Sequence, residues 1–185
     1  MTNEVIEDLR QEMERTLGTL RRELARTRTG RASTALLEGI MVDYYGTKTP
    51  LNQLAGVSVP EARLLVLQPY DKGALHDIER AIQQSDLGLV PINDGKILRI
   101  PIPELTAERR RDLVKHVRKV AEEYRVSMRN HRRDAIDMLK TLEKDGDIAE
   151  DDLRRGQEKV QEITTDYIER VDKVLKVKED EIVEV

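Results

Sequence analysis

From Thr106 to Lys144 the sequence contains neither glycine nor proline. Leu113, Val117, Val120, Tyr124, Met128, His131, Ala135, Met138 and Leu142 follow one another through this stretch in steps of three and four. That spacing places them along one side of an α-helix. It predicts a single helix of about 38 residues, ~57 Å long at 1.5 Å per residue. A rod of that length is not stable alone in water and must cover its stripe with other helices.

Two further stretches supply them. Ile6, Leu9, Met13, Leu17, Leu20 and Leu24 form an equivalent stripe, expected to end near Thr29-Gly30. Val160, Ile163, Tyr167, Val171 and Val174 form a third, expected to run to about Ile182. Thr106 is a good N-cap for the long helix, with Glu108 in its first turn. Asp147 and Glu150 have the spacing of a capping box for the helix that follows the Asp145-Gly146 turn. So short a turn makes the second and third helices antiparallel neighbours.

The stretch between the first two helices is different in kind. All six prolines lie between residues 50 and 103, and seven of the ten glycines between 30 and 95. Ile40–Tyr45, Arg63–Gln68 and Ile97–Ile102 read as strands, and Asp94-Gly95 as a hairpin turn before the last of them. Ala74–Gln84 carries Leu75, Ile78, Ala81 and Ile82 at helical spacing. The expected fold is α+β: a long antiparallel three-helix bundle formed by residues 1–29 and 106–185, with a small mixed α/β domain, residues 31–104, inserted between its first and second helices. The two crossings, at 30–31 and 104–105, form a paired tether and a natural hinge.

Charge narrows the function. The chain carries a net charge of −4, yet residues 106–133 hold ten bases against four acids, and residues 134–185 hold nine bases against seventeen acids. On a wheel at about 100° per residue, Arg111, Arg118, Arg125, Arg129 and Arg132 share a strip of about 60° beside the buried seam, flanked by Arg133 and Lys115. Only Glu122 lies near the strip. Guanidinium groups spaced along ~32 Å of rigid helix suit a phosphate backbone. On the first helix Arg10, Arg21 and Arg28 share a face of their own.

Other chemistries are excluded or poorly served. The chain has no cysteine and only three histidines, with no metal-ligand spacing among them. It has no phenylalanine and no tryptophan, so it lacks a platform of aromatics for base stacking. No Gly-rich phosphate loop and no nucleophile–base set occurs, which argues against an enzyme and against any cofactor. No apolar run is long enough to cross a membrane, and the polar N-terminus is no targeting segment, so a cytoplasmic protein is expected. The residues alone leave two non-enzymatic alternatives: an adaptor that binds a protein partner through its acidic third helix, and a general binder of structured RNA.

Five motifs in register narrow the choice: Arg28-Thr-Gly-Arg-Ala-Ser33, Tyr44-Tyr-Gly-Thr47, Ser85-Asp-Leu-Gly-Leu89, Ile102-Pro-Glu-Leu-Thr-Ala-Glu-Arg-Arg110 and Arg129-Asn-His-Arg-Arg-Asp134. Together they resemble the bacterial ribosome recycling factor family over essentially the whole chain. The resemblance implies an L-shaped molecule that binds the post-termination ribosome. With elongation factor G and its bound GTP, such a molecule splits the ribosome into subunits and releases messenger RNA and transfer RNA. It implies that Arg129, Arg132 and Arg133 contact ribosomal RNA of the large subunit, with Arg28 and Arg31 as hinge-side arginines. It places the hinge at Gly30, Arg31, Glu104 and Leu105. It further implies no cofactor and no membrane, and three mutually satisfied stripes suggest a monomer.

Overall fold

The computed structural model describes residues 1–184. The chain divides into a helical unit, Met1–Leu24 with Arg111–Val183, and a second unit spanning Ala25–Arg110.

Three helices make the first unit: α1 (Thr2–Ala25), α4 (Ala107–Lys144) and α5 (Glu150–Val183). Between α1 and α4 lie α2 (Leu51–Leu54) and α3 (Leu75–Gln83), both in the second unit. Helix α4 begins where the sequence predicts, and the Thr106 hydroxyl accepts a hydrogen bond from the Arg109 amide at 3.1 Å. It ends in a Schellman cap at Gly146, whose φ is +83°. There the Gly146 and Asp147 amides donate to the Glu143 and Leu142 carbonyls. Asp147 is thereby used to close α4, and α5 starts at Glu150, two residues later than a capping box at Asp147 requires. Helix α1 stops at Ala25, short of the expected Thr29-Gly30 end.

The seam is aliphatic. Met13, Leu17 and Leu20 of α1, Val117, Met128 and Leu139 of α4, and Val160 and Val171 of α5 are fully buried. The stripes drift as they run. Past Ala135 the buried position is Leu139 and Met138 is exposed, and past Val171 it is Leu175. A straight helix turns 3.6 residues per cycle, so a stripe must occasionally take an extra step of four to stay on the seam. Polar pairs show the directions of packing. The Tyr124 hydroxyl donates to Glu23 at 2.6 Å, and Thr16 meets His131 at 2.9 Å, so α1 runs antiparallel to α4. The Tyr167 hydroxyl donates to Glu14 at 2.8 Å with Arg170 stacked 4.6 Å from its ring, and twelve residues earlier on α1 Thr2 approaches Gly156 of α5, so α1 runs parallel to α5. At Gly156 the helices crowd: a Cβ there would lie 3.0 Å from a Leu139 methyl and 3.2 Å from the Thr2 methyl.

In the second unit, β1 (Met41–Tyr44) and β2 (Thr47–Pro50) form a hairpin. Tyr45 and Gly46 both take positive φ in its two-residue turn, the type I′ geometry that matches strand twist. Strands β3 (Ala55–Glu61), β4 (Leu64–Pro69), β5 (Ile92–Asn93) and β6 (Leu98–Pro101) make an antiparallel sheet in the order β3-β4-β6-β5. The predicted turn at Asp94-Gly95 joins β5 to β6, and the Asp94 carboxylate accepts from the Lys96 and Ile97 amides. Helix α3 buries Leu75, Ile78 and Ile82 in a core shared with Val42, Leu65, Leu67, Leu98 and Ile100. Asp71 accepts from the Tyr44 hydroxyl at 2.8 Å and from the Gly73 amide, and these bonds hold its carboxyl below the usual carboxylate range. Strands β2 and β3 were not expected. Both are largely exposed, and β3 is an edge strand carrying Gly56 and Pro60, so neither alternates in the manner of a half-buried strand.

Two glycines give opposite expectations. Gly18 lies in α1, where a Cβ would meet only the flexible end of Arg22, Nη1 at 3.6 Å, an ordinary van der Waals contact. Gly18→Ala is expected to raise stability by about 1 kcal/mol through helix propensity. Gly156→Val, which overfills the crowded crossing, is expected to lower it by roughly 1–3 kcal/mol. Thermal unfolding followed by circular dichroism checks both. The Tyr124 phenol is a second probe. Burial and the Glu23 carboxylate push it up to about 12. Its contribution is complete below the ~10 of an unfolded tyrosine and is lost as pH rises through that higher value. In denaturant titrations at rising alkaline pH, Tyr124→Phe is expected to lose less stability than the parent.

Candidate nucleic-acid interface

The arginines singled out on α4 fall into two groups once α5 is in place. Arg118 forms a fork with Glu179 of α5, Nε to Oε1 at 2.7 Å and Nη2 to Oε2 at 3.3 Å. Arg125 lies between Asp172 of α5, at 2.6 Å, and Glu122 one turn back on α4, at 3.0 Å. These bonds raise the Arg118 guanidinium above its ordinary value. At Arg125 burial pulls the other way and the Asp172 and Glu122 carboxylates more than offset it. Two rungs, 118 to 179 and 125 to 172, thus cross an antiparallel pair of helices at matching steps of seven.

Toward the C-terminal half of α4 the compensation thins. Arg129 shares Glu122 with Arg125, at 3.1 Å, and the two hydrogen bonds hold the Glu122 carboxyl below the usual range. Among the described residues Arg132 has only the amide oxygen of Gln161, at 3.5 Å. Arg133 is exposed. Among the described residues no carboxylate pairs with Arg132 or Arg133. Exposed Arg111 lies near the start of α4. The net effect is a graded stripe, partly neutralised at Arg118, Arg125 and Arg129 and basic at Arg132 and Arg133. A guanidinium without a carboxylate partner is free to offer its planar donor fork to a phosphate.

Arg28 and Arg31 belong to the second unit, with Arg28 half-buried and Arg31 exposed. Gly30 takes a φ of +82° and is buried. Glu104 pairs with Arg63 at 2.6 Å, and Leu105 is buried. The Ala62-Arg63 turn between β3 and β4 also accepts the Ala32 and Ile102 amides on its carbonyls, at 2.7 and 2.8 Å. One turn therefore gathers both stretches of chain that flank the second unit.

The sequence reading missed Glu179, Asp172 and Gln161. A signal was available: Arg118 and Arg125 are seven apart, as are Asp172 and Glu179, on either side of a tight turn. Antiparallel packing must bring such pairs to a constant register. Among the described residues no cluster of acids and histidines is placed to hold a metal ion, and no helix is long and apolar enough to cross a membrane.

Comparison with known proteins gives a consistent answer. A family model described as Ribosome recycling factor matches residues 20–183. The ribosome-recycling factor of Halalkalibacterium halodurans is 59% identical over 185 residues, covering all of both chains. That of Bacillus subtilis is 54% identical, again over the full length of both. Among solved structures, a solution structure of the ribosome recycling factor matches with a TM-score of 0.81 at 40% identity, covering 100% of this chain and 98% of that one. A second match, with a TM-score of 0.69 at 47% identity and 99% coverage of each chain, is the T. thermophilus factor placed with E. coli elongation factor G on the E. coli post-termination complex. With its helices, its antiparallel sheet and its full-length relatives, this chain belongs to the ribosome recycling factor family.

Proposed function

We propose that the chain binds the ribosome left after termination and, with elongation factor G carrying GTP, splits it into subunits, releasing messenger RNA and transfer RNA. The full-length likeness to a factor placed with elongation factor G on a post-termination complex carries this reading. The basic end of the α4 stripe adds where the chain is held. Arg129, Arg132 and Arg133 anchor the helical unit to large-subunit ribosomal RNA through charge-assisted contacts. Arg111, Arg118, Arg125, Arg28 and Arg31 contribute to the same field. The contacts release counterions and so weaken with salt.

The remaining roles follow from the same reading. The helical unit serves as the anchor. The second unit moves on the hinge at Gly30, Arg31, Glu104 and Leu105. The factor acts in the cytoplasm as a monomer and as a lever. Nucleotide hydrolysis belongs to elongation factor G, and the chain catalyses no bond chemistry of its own.

Light scattering of post-termination ribosomes tests the function. A drop that requires this chain, elongation factor G and GTP together is expected, and its absence beside a working control overturns the reading. The two groups of arginines give a sharper expectation. Arg132→Glu should weaken ribosome binding without lowering the unfolding temperature, since Arg132 has no ion pair to lose. Arg125→Gln should cost roughly 1 kcal/mol of stability, because it strands Asp172 and Glu122. Sedimentation binding and denaturant unfolding separate the two effects.

A further inference from the structure

The α4–α5 ladder stops one rung short, and the residues that stop it are neutral. Arg118 faces Glu179 and Arg125 faces Asp172, so each step of seven along α4 is a step of minus seven along α5. The next rung sets Arg132 against Thr165. In place of a carboxylate, Arg132 Nη1 reaches the Oε1 of Gln161 at 3.5 Å, the far limit of a hydrogen bond. Gln161 is in turn held by its own neighbour, its Nε2 donating to the Thr165 hydroxyl at 3.3 Å. The same pair of helices therefore has two acids where arginines are tied down and an amide with a hydroxyl where one is not. Acids are plentiful nearby, with Glu158, Glu162, Asp166 and Glu169 on neighbouring turns of α5. None of them pairs with Arg132. Glu162 pairs with Lys159, and Asp166 with Arg170, both within α5.

Resting on the assignment of Arg132 to RNA contact, we propose that Gln161 and Thr165 form a neutral window on α5 that positions Arg132 for nucleic acid. The amide oxygen steadies the guanidinium by a weak contact and leaves its charge uncompensated. A carboxylate in the window would complete the third rung, as at Arg118 and Arg125, and take the guanidinium out of service. Part of the specificity of the interface is therefore written on a helix that supplies none of its arginines. Gln161 and Thr165 are positioning residues and act through Arg132.

Gln161→Glu is the nearly isosteric test. Ribosome binding is measured by co-sedimentation over a range of salt concentrations. Gln161→Glu is expected to weaken binding roughly tenfold and to reduce the salt slope by about one ion. The unfolding temperature of Gln161→Glu should hold or rise, because an ion pair is gained, and a fall would show misfolding in place of capture. The double variant Gln161→Glu with Arg132→Gln decides the route. If the acid acts by capturing Arg132, it adds little to Arg132→Gln alone. An equal penalty in both backgrounds would show simple repulsion of RNA and overturn the window. Normal binding by Gln161→Glu while Arg132→Gln is defective would also overturn it and leave the reading of Arg132 intact. Normal binding by Arg132→Gln would instead remove that reading.

Discussion

A helix of 38 residues that bears an apolar stripe has no stable existence until the stripe is covered, and here two other helices of the same chain cover it. The seam contains no phenylalanine and no tryptophan. Leucine, valine, isoleucine and methionine fill it, and tyrosine reaches it from the edge with its hydroxyl tied to a carboxylate. Aliphatic side chains at steps of three and four leave no room for slack, as the crowded crossing at Gly156 shows. Every polar feature of the helical unit is laid over this seam and takes its register from it.

The arginine stripe illustrates the dependence. Its positions on α4 are set by the same turn that buries Leu113, Val117 and Val120, so it runs along the edge of the seam and meets whatever α5 presents there. At two levels α5 presents an acid, and the guanidinium joins helix to helix. At the third it presents an amide, and the charge faces outward. One repeated side chain thus joins helix to helix at two levels and meets only an amide at the third, and the difference lies in the partner helix.

The helices and much of the second unit were legible in the sequence because their signals are local. The three stripes, the Thr106 cap and the Asp94-Gly95 turn each need only a few neighbouring residues to declare themselves. Strands β2 and β3 gave no such signal, since an exposed edge strand has little alternation to read. Asp147 had the spacing of an N-cap, but its amide was needed to finish the preceding helix, and a five-residue turn has no amide to spare. The compensation of Arg118 and Arg125 was hidden for a different reason. Near Arg125 and Arg129 the strip on α4 offers one acid, and the others are Asp172 and Glu179, which become neighbours only when the chain has doubled back. Charge counted along a helix is a poor guide to charge felt beside it.

The partial neutralisation of the stripe also bears on time. A contact made by a few guanidiniums, without aromatic anchors, is quick to form in the field of a polyanion and quick to dissolve. If the stripe holds ribosomal RNA as proposed, arginines at 118 and 125 as open as Arg132 would lengthen the run of contacts and with it the residence of the factor on each ribosome. A protein that serves one ribosome after another gains from departure as much as from arrival. On the proposed reading of the stripe, the acids of α5 at Asp172 and Glu179 shorten the grip and so favour turnover.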